Sequence, residues 1–193
     1  MLHEPVVAVS HLQYKNKVML NAKQIIDEGL LLLEHTQGKP AQVGYDLSLK
    51  SVQKIGTRIG YNIFNDNAVG KVLKNKTELT KYTPKSTIML DGVEGWLLHE
   101  GVYDITFNEG CKIPENRVAF IKQRSSLYRN GAIINSPVFD PGFETEFMGT
   151  LLYVHEPLFI EKDARVAQIY FHECNGAELY DGQWQNDKQR SSL

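Results

Sequence analysis

KQRSSLYRNGAIINSPVFDPGFE, residues 122–144, sets two guanidinium groups and two hydroxyls (Arg124, Ser125, Ser126 and Arg129) within six residues. Eleven residues beyond Arg129 comes the turn Asp140-Pro141-Gly142. The apolar run GAIINSPVF lies between them, and another, RVAFIKQ, leads into Arg124. Short runs of this kind, bounded by turn formers, read as β-strands rather than helices. The polar residues between them either shape turns or hold an anion.

The pattern extends in both directions. From Ser86 onward the runs STIML, GWLLHEGVYDITF, MGTLLYVHE and PLFIEKDARVAQIYFHE alternate with turn signals such as LDGVEG and NEGCKIPEN. Many short strands with evenly spaced turns predict an all-β sandwich or barrel, not a parallel α/β sheet. Upstream, AQVGYDLSL puts Val43, Tyr45, Leu47 and Leu49 on one face at strand periodicity. NAKQIIDEGLLLL predicts the one clear helix, with Asn21 as its cap, Ile25, Ile26 and Leu30 sharing a face, and Gly29 weakening its end. TQGKP, residues 36–40, breaks the chain after it. Residues 51–85 are polar and read as a long excursion or insertion. The tail, 175–193, is polar but carries Tyr180 and Trp184, as a segment that docks would.

With 193 residues, 42% hydrophobic and 23% charged, one globular domain spanning 1–193 is expected. A net charge of −2 gives no general attraction to nucleic acid or to an anionic membrane. Any phosphate-bearing ligand must therefore be held by local Lys and Arg, which favours a small ligand over a polymer. Cys111 and Cys174 are far apart with no C-x-x-C, so neither a disulfide framework nor a structural zinc site is expected. Apolar runs such as Leu30–Leu33 fall far short of the roughly 20 residues of a membrane span. MLHEPVVAVS lacks a basic region before a long apolar core, so no signal peptide is expected, and a cytoplasmic location is. The six histidines show no metal-ligand spacing.

Six segments, in order, together resemble the dCTP deaminase/dUTPase superfamily. They are the helix KQIIDEGLLLL followed by GYDLSL, then GYDL itself (Gly44–Leu47), RSSLYRNG, VFDPGF, ARVAQIYF and YDGQWQ. The resemblance covers most of the chain. It implies a distorted, jelly-roll-like all-β barrel of the dUTPase or β-clip kind, with a short N-terminal helix. It also implies a homotrimer whose active sites lie between subunits and bind a deoxynucleoside triphosphate, dUTP or dCTP, with Mg²⁺.

On that resemblance Arg124, Ser125 and Ser126 are phosphate contacts, a task suited to hydroxyls and a forked guanidinium. An ordinary Ser helix cap beside a solvated Arg is the alternative for the same residues. Arg129 stands as a catalytic-site cation or as a partner in an ion pair to a neighbouring subunit. Asp140 matches the carboxylate that orients the attacking water in dUTPases, although Asp-Pro-Gly is also a favoured turn. Asp46 resembles a position supporting the metal–triphosphate site, or is a plain strand-end Asp. Gln168 matches a recurrent Gln, or satisfies buried backbone groups. Tyr180 keeps the family's aromatic position in the tail, to stack on a base or pack against a closing lid.

The two activities of the superfamily separate at one position. Deaminases of this type carry a Glu on the strand after the Asp-Pro-Gly turn. Ten residues beyond Asp140 this chain has Thr150, which cannot act as a general base near neutral pH. Glu144 and Glu146 replace it only if the turn is rearranged. The zinc route is absent too, since H-x-E followed by P-C-x-x-C does not occur. The interval from Arg129 to Asp140 is two residues shorter than in deaminases, which leaves base identity open. In the tail, Gln183 stands where a phosphate-binding Lys is usual, Trp184 replaces a Tyr and Asp187 a Gln, with Lys188 and Arg190 close by. The expectation is a Mg²⁺-dependent hydrolase giving dUMP and pyrophosphate from dUTP. A dCTP deaminase, with or without a second hydrolase activity, and a non-catalytic deoxynucleotide-binding protein are the alternatives.

Overall fold

The computed structural model describes residues 19–57, 80–182 and 185. The readings of the first ten residues, of His3 and His11, and of Gln183, Trp184, Asp187, Lys188 and Arg190 lie outside the described residues. A helix α1 (Ala22–Asp27) precedes strands β1 (Leu31–Leu32), β2 (Lys39–Pro40), β3 (Tyr45–Thr57), β4 (Thr80–Pro84), β5 (Ile88–Leu90), β6 (Val93–Leu98) and β7 (Gly101–Phe107). There follow β8 (Gly110–Lys112), β9 (Arg117–Gln123), a short helix α2 (Ser125–Arg129), β10 (Ala132–Asn135) and β11 (Glu144–Thr145). Strands β12 (Gly149–Val154), β13 (Leu158–Glu161) and β14 (Arg165–Glu173) complete the described elements. The all-β expectation holds, with short strands at the expected places.

The main sheet runs β10-β12-β7-β3-β14-β9, with β2 and β4 also paired to β3. Its ends approach each other, because Ala119 of β9 exchanges both backbone hydrogen bonds with Phe139, just beyond β10 (2.9 and 3.0 Å). The sheet is thus nearly closed, as a barrel requires. Strand β3 makes the corner: its first half pairs with β14 and its second with β7, with a register shift between Leu49 and Ser51. A bulge is the usual device by which one strand serves two sheets. Two small sheets, β1-β8-β11 and β13-β6-β5, flank this body.

The core is filled by side chains from the main sheet. Tyr45, Leu47, Leu49, Ile105, Phe107, Ile121, Ile169 and Phe171 are all buried. The alternation read in AQVGYDLSL is therefore real from Tyr45 onward, but Val43 stands exposed before the strand begins. Asp46 and Ser48, on the opposite face of β3, are buried as well. Both faces of this strand are covered, so the chain had to give its polar side chains partners.

Helix α1 starts as expected. The Asn21 side chain accepts from the Gln24 N–H, and the Gln24 side chain accepts from the Asn21 N–H, a reciprocal cap. It ends earlier than the apolar run implies. Gly29 takes φ +65°, the left-handed conformation that closes a helix, and Leu31 and Leu32 pair instead with Cys111 and Gly110 of β8. Ile25 is buried but Ile26 is exposed, so the two do not share the inward face. The predicted excursion over 51–85 is also narrower, because β3 continues to Thr57 and pairs with β4 from Thr80.

Candidate active site

Strand β9 delivers the chain to Arg124, whose N–H donates to the Val166 carbonyl of β14 (2.9 Å). Arg124 itself occupies the N-cap position of α2, without a side-chain cap bond. The two serines therefore do not cap this helix. They form its first turn, and both are exposed. Arg129 closes the same helix and is exposed too.

The Arg124 guanidinium turns inward. Its Nη1 donates to the backbone carbonyl of Arg165 at 3.0 Å, and its Nε stands 3.4 Å from Asp46 Oδ2. Register explains the meeting: β14 pairs with both β3 and β9, so the start of β14 lies between Asp46 and the end of β9. Arg165 Nη1 approaches the same Asp46 oxygen at 3.6 Å. One buried carboxylate thus faces two guanidinium groups. Burial pushes the Asp46 carboxyl above its ordinary value, and the positive charge of Arg124 opposes that shift. Gln168, half-buried on β14, sits directly across from Asp46 on one side and Lys122 on the other.

A cleft of about 670 Å³ opens beside these residues, lined among others by Ser126, Arg129, Arg165, Val166, Glu156 and Leu158. It brings together two of the residues read from the RSSLYR segment and one, Arg165, that was not singled out. Asp140 does not line it. That carboxylate is exposed on its turn, where Phe143 donates its N–H to the Asp140 carbonyl (3.1 Å). The tail packs here. Tyr180 donates its N–H to the Pro141 carbonyl (2.7 Å) and sets its ring edge-on to Phe143, centroids 5.2 Å apart. Gln185 donates to the Gly142 carbonyl (2.8 Å) and accepts from the Glu144 N–H (3.1 Å). Of the described tail residues, Tyr180 and Gln185 dock on the Asp-Pro-Gly turn and the residues just after it.

Thr150 is buried in β12 and its hydroxyl donates to the Asn135 carbonyl of β10 at 2.9 Å. Glu144 is 3.6 Å from Lys112, and its main chain is tied to Gln185.

Sequence reasoning also missed Glu109, which reads as a turn residue in NEGCK. It is fully buried. Its carboxylate accepts from Thr36 Oγ1 (2.6 Å), Gly38 N (3.1 Å), Ser48 N (2.9 Å) and Ser48 Oγ (2.7 Å). This knot fastens the 36–38 loop over β3 next to Asp46. A Cβ on Gly38 would fall 2.1 Å from the Asp46 carbonyl oxygen, so only glycine permits the approach. Arg165 had a signal in the sequence, a cation three residues before Gln168 at a strand start, but nothing local said which strand it would face.

Among the described residues no three His, Cys, Asp or Glu side chains group as a metal cage.

Comparison with known proteins agrees with this architecture. A family model described as dCTP deaminase-like matches residues 17–174. A probable deoxyuridine 5'-triphosphate nucleotidohydrolase of Methanosarcina mazei is 31% identical over 173 residues, 86% of this chain and 93% of that protein. The deoxyuridine 5'-triphosphate nucleotidohydrolase of Methanocaldococcus jannaschii is 35% identical over 144 residues, covering 73% and 83%. In fold, the chain is similar to the 2'-deoxycytidine 5'-triphosphate deaminase of Agrobacterium tumefaciens, with a TM-score of 0.59 at 17% identity. That match covers 81% of this chain but spans only 48% of the other. The near-closed sheet, the ordered motifs and these matches make the chain a member of the dCTP deaminase/dUTPase superfamily.

Proposed function

We propose that this protein is a dUTP diphosphohydrolase, converting dUTP and water to dUMP and pyrophosphate. The observation that carries the reading is Thr150: at the position where a deaminase needs a carboxylate, a buried hydroxyl is committed to the Asn135 carbonyl. The names of the archaeal relatives support the same choice.

In this reading Arg124, Ser125, Ser126 and Arg129 bind the phosphates, and Gln168 lies at their inner edge. Asp140 accepts a proton from water as the water oxygen attacks the α-phosphorus. The α–β bridging P–O bond breaks, and pyrophosphate leaves with the bonding pair. Charge neutralisation and water alignment are what such a step needs. Bound on the phosphates, Mg²⁺ would neutralise part of their charge, with Asp140 and, through the guanidiniums it pairs with, Asp46 as the supporting carboxylates. Tyr180 holds the tail against the Asp140 turn.

Asp140 does not line the cleft that holds Ser126, Arg129 and Arg165. A homotrimer, in which the turn of one subunit completes the phosphate cleft of the next, accounts for this. The two free thiols, Cys111 and Cys174, fit a reducing compartment such as the cytoplasm.

The test incubates the protein with dUTP and, separately, dCTP, each with Mg²⁺, and resolves products by anion exchange. Formation of dUMP and pyrophosphate from dUTP alone, reduced about 10²–10⁴-fold in Asp140→Asn, is expected. Conversion of dCTP to a uracil nucleotide would establish the deaminase reading, and binding of either without turnover the non-catalytic one.

A further inference from the structure

We infer that Arg165 is an additional phosphate-binding residue, a third side chain of the cleft that holds Ser126 and Arg129. The inference rests on the nucleotide-hydrolase reading of that cleft and goes beyond it, because no part of the RSSLYR segment contains this residue.

Three observations carry it. First, Arg165 Nη1 is buried and has no hydrogen-bond partner among the described residues. A buried guanidinium N–H without an acceptor is costly and demands an explanation. Second, the carboxylate that faces it, Asp46 Oδ2, stands at 3.6 Å, beyond hydrogen-bond range, and the same oxygen is 3.4 Å from Arg124 Nε. Two guanidiniums share one carboxylate among the described residues, which leaves a positive charge unbalanced beside the cleft. Third, the Arg165 side chain is 29% exposed and lines that cleft with Ser126 and Arg129. The group is therefore partly open to a ligand and partly sealed.

A structural ion pair between β14 and β3 is the competing account. It would bring guanidinium and carboxylate to the 2.7–2.9 Å of a charge-assisted bond, since both belong to paired strands. The observed spacing is longer. Glu156 and Glu161 also line the cleft, but both are exposed, and neither pairs with Arg165 within 4.0 Å. The exposed part of the Arg165 side chain is what phosphate oxygens reach, and they bring the acceptors and negative charge that the pair of guanidiniums lacks. Asp46 then acts as a positioning residue, holding both guanidiniums in place.

The test uses the intact protein with inorganic tripolyphosphate, α,β-imido-dUTP with Mg²⁺, and dUMP, titrated calorimetrically into wild type and Arg165→Gln. Loss of one charge-assisted contact predicts about thirty-fold weaker binding of tripolyphosphate and of imido-dUTP, with dUMP changed less than about twofold. Arg165→Lys, a point charge without the fork, should recover part of the loss. Unchanged affinity, or an equal loss for dUMP and imido-dUTP, would overturn the inference. A second measurement needs no variant. Phenylglyoxal labelling of Arg165 in wild type, mapped by mass spectrometry, should fall when tripolyphosphate is present, and undiminished labelling rejects the assignment even if Arg165→Gln does not fold. The two readings fail separately. Arg165-dependent tripolyphosphate binding without turnover of dUTP would sink the hydrolase reading alone, and normal dUTP hydrolysis with unaltered KM in Arg165→Gln would sink this one alone.

Discussion

Two buried side chains outside the RSSLYR segment show what a single residue decides in this protein. Thr150 gives its hydroxyl to the Asn135 carbonyl, so Thr150→Val leaves that acceptor unpaired. A loss of about 1–2 kcal/mol in denaturant-derived stability is expected, with no change in the products formed. Glu109 collects four donors while fully buried. Glu109→Gln replaces one acceptor oxygen by a donor that faces donors, and should cost roughly 2–4 kcal/mol in urea unfolding. The threonine was locatable in the sequence because its interval from Asp140 is short and local. The glutamate was not readable, because its burial depends on Thr36 and Ser48, which only the tertiary fold brings to it.

Among the elements, β3 carries the most consequence. Just before it, Gly44 adopts φ +82° with the Ile169 carbonyl oxygen 2.1 Å from where a Cβ would stand. Gly44→Ala must therefore strain the backbone and push β14 away from β3, the two strands that carry Asp46 and Arg165. The expected result is destabilisation of more than about 1 kcal/mol, with weakened nucleotide binding measured on the same sample. Asn21→Ala, in contrast, removes the reciprocal cap of a short peripheral helix and should cost about 1 kcal/mol with binding unchanged. The strands and the helix start were legible, since period-two alternation and capping chemistry are local signals. The fate of Leu30–Leu33 was not. Four leucines satisfy helix and strand patterns equally, and the left-handed Gly29 together with pairing to β8 chose strand.

For the molecule as a whole, burial governs how it responds to alkali. Cys111 is fully buried, and burial first, then the nearby Glu144 carboxylate, raise its thiol far above the ordinary 9.0. Burial likewise raises Tyr103 above 10.0, partly offset by its bond to the His99 carbonyl. Below these ordinary values both groups are protonated in either state and their contribution is complete. Above pH 9 the unfolded chain releases protons that the folded chain keeps, so stability falls as pH rises. Cys111→Ala should show a shallower decline between pH 9 and 10 in urea midpoints, and in wild type Cys111 should react with a thiol reagent only on unfolding. The sequence by itself determined the all-β class, the order of the motifs and the residues of the RSSLYR and Asp-Pro-Gly segments, because turn chemistry and strand alternation are written within a few residues. Only the tertiary structure decided that Asp46 lies beneath two guanidiniums, that Arg165 joins Ser126 and Arg129 at one cleft, and that the tail rests on the Asp140 turn. The reason is physical: strand pairing brings residues distant in the chain within a few ångströms, and no local preference encodes which strand will be the neighbour.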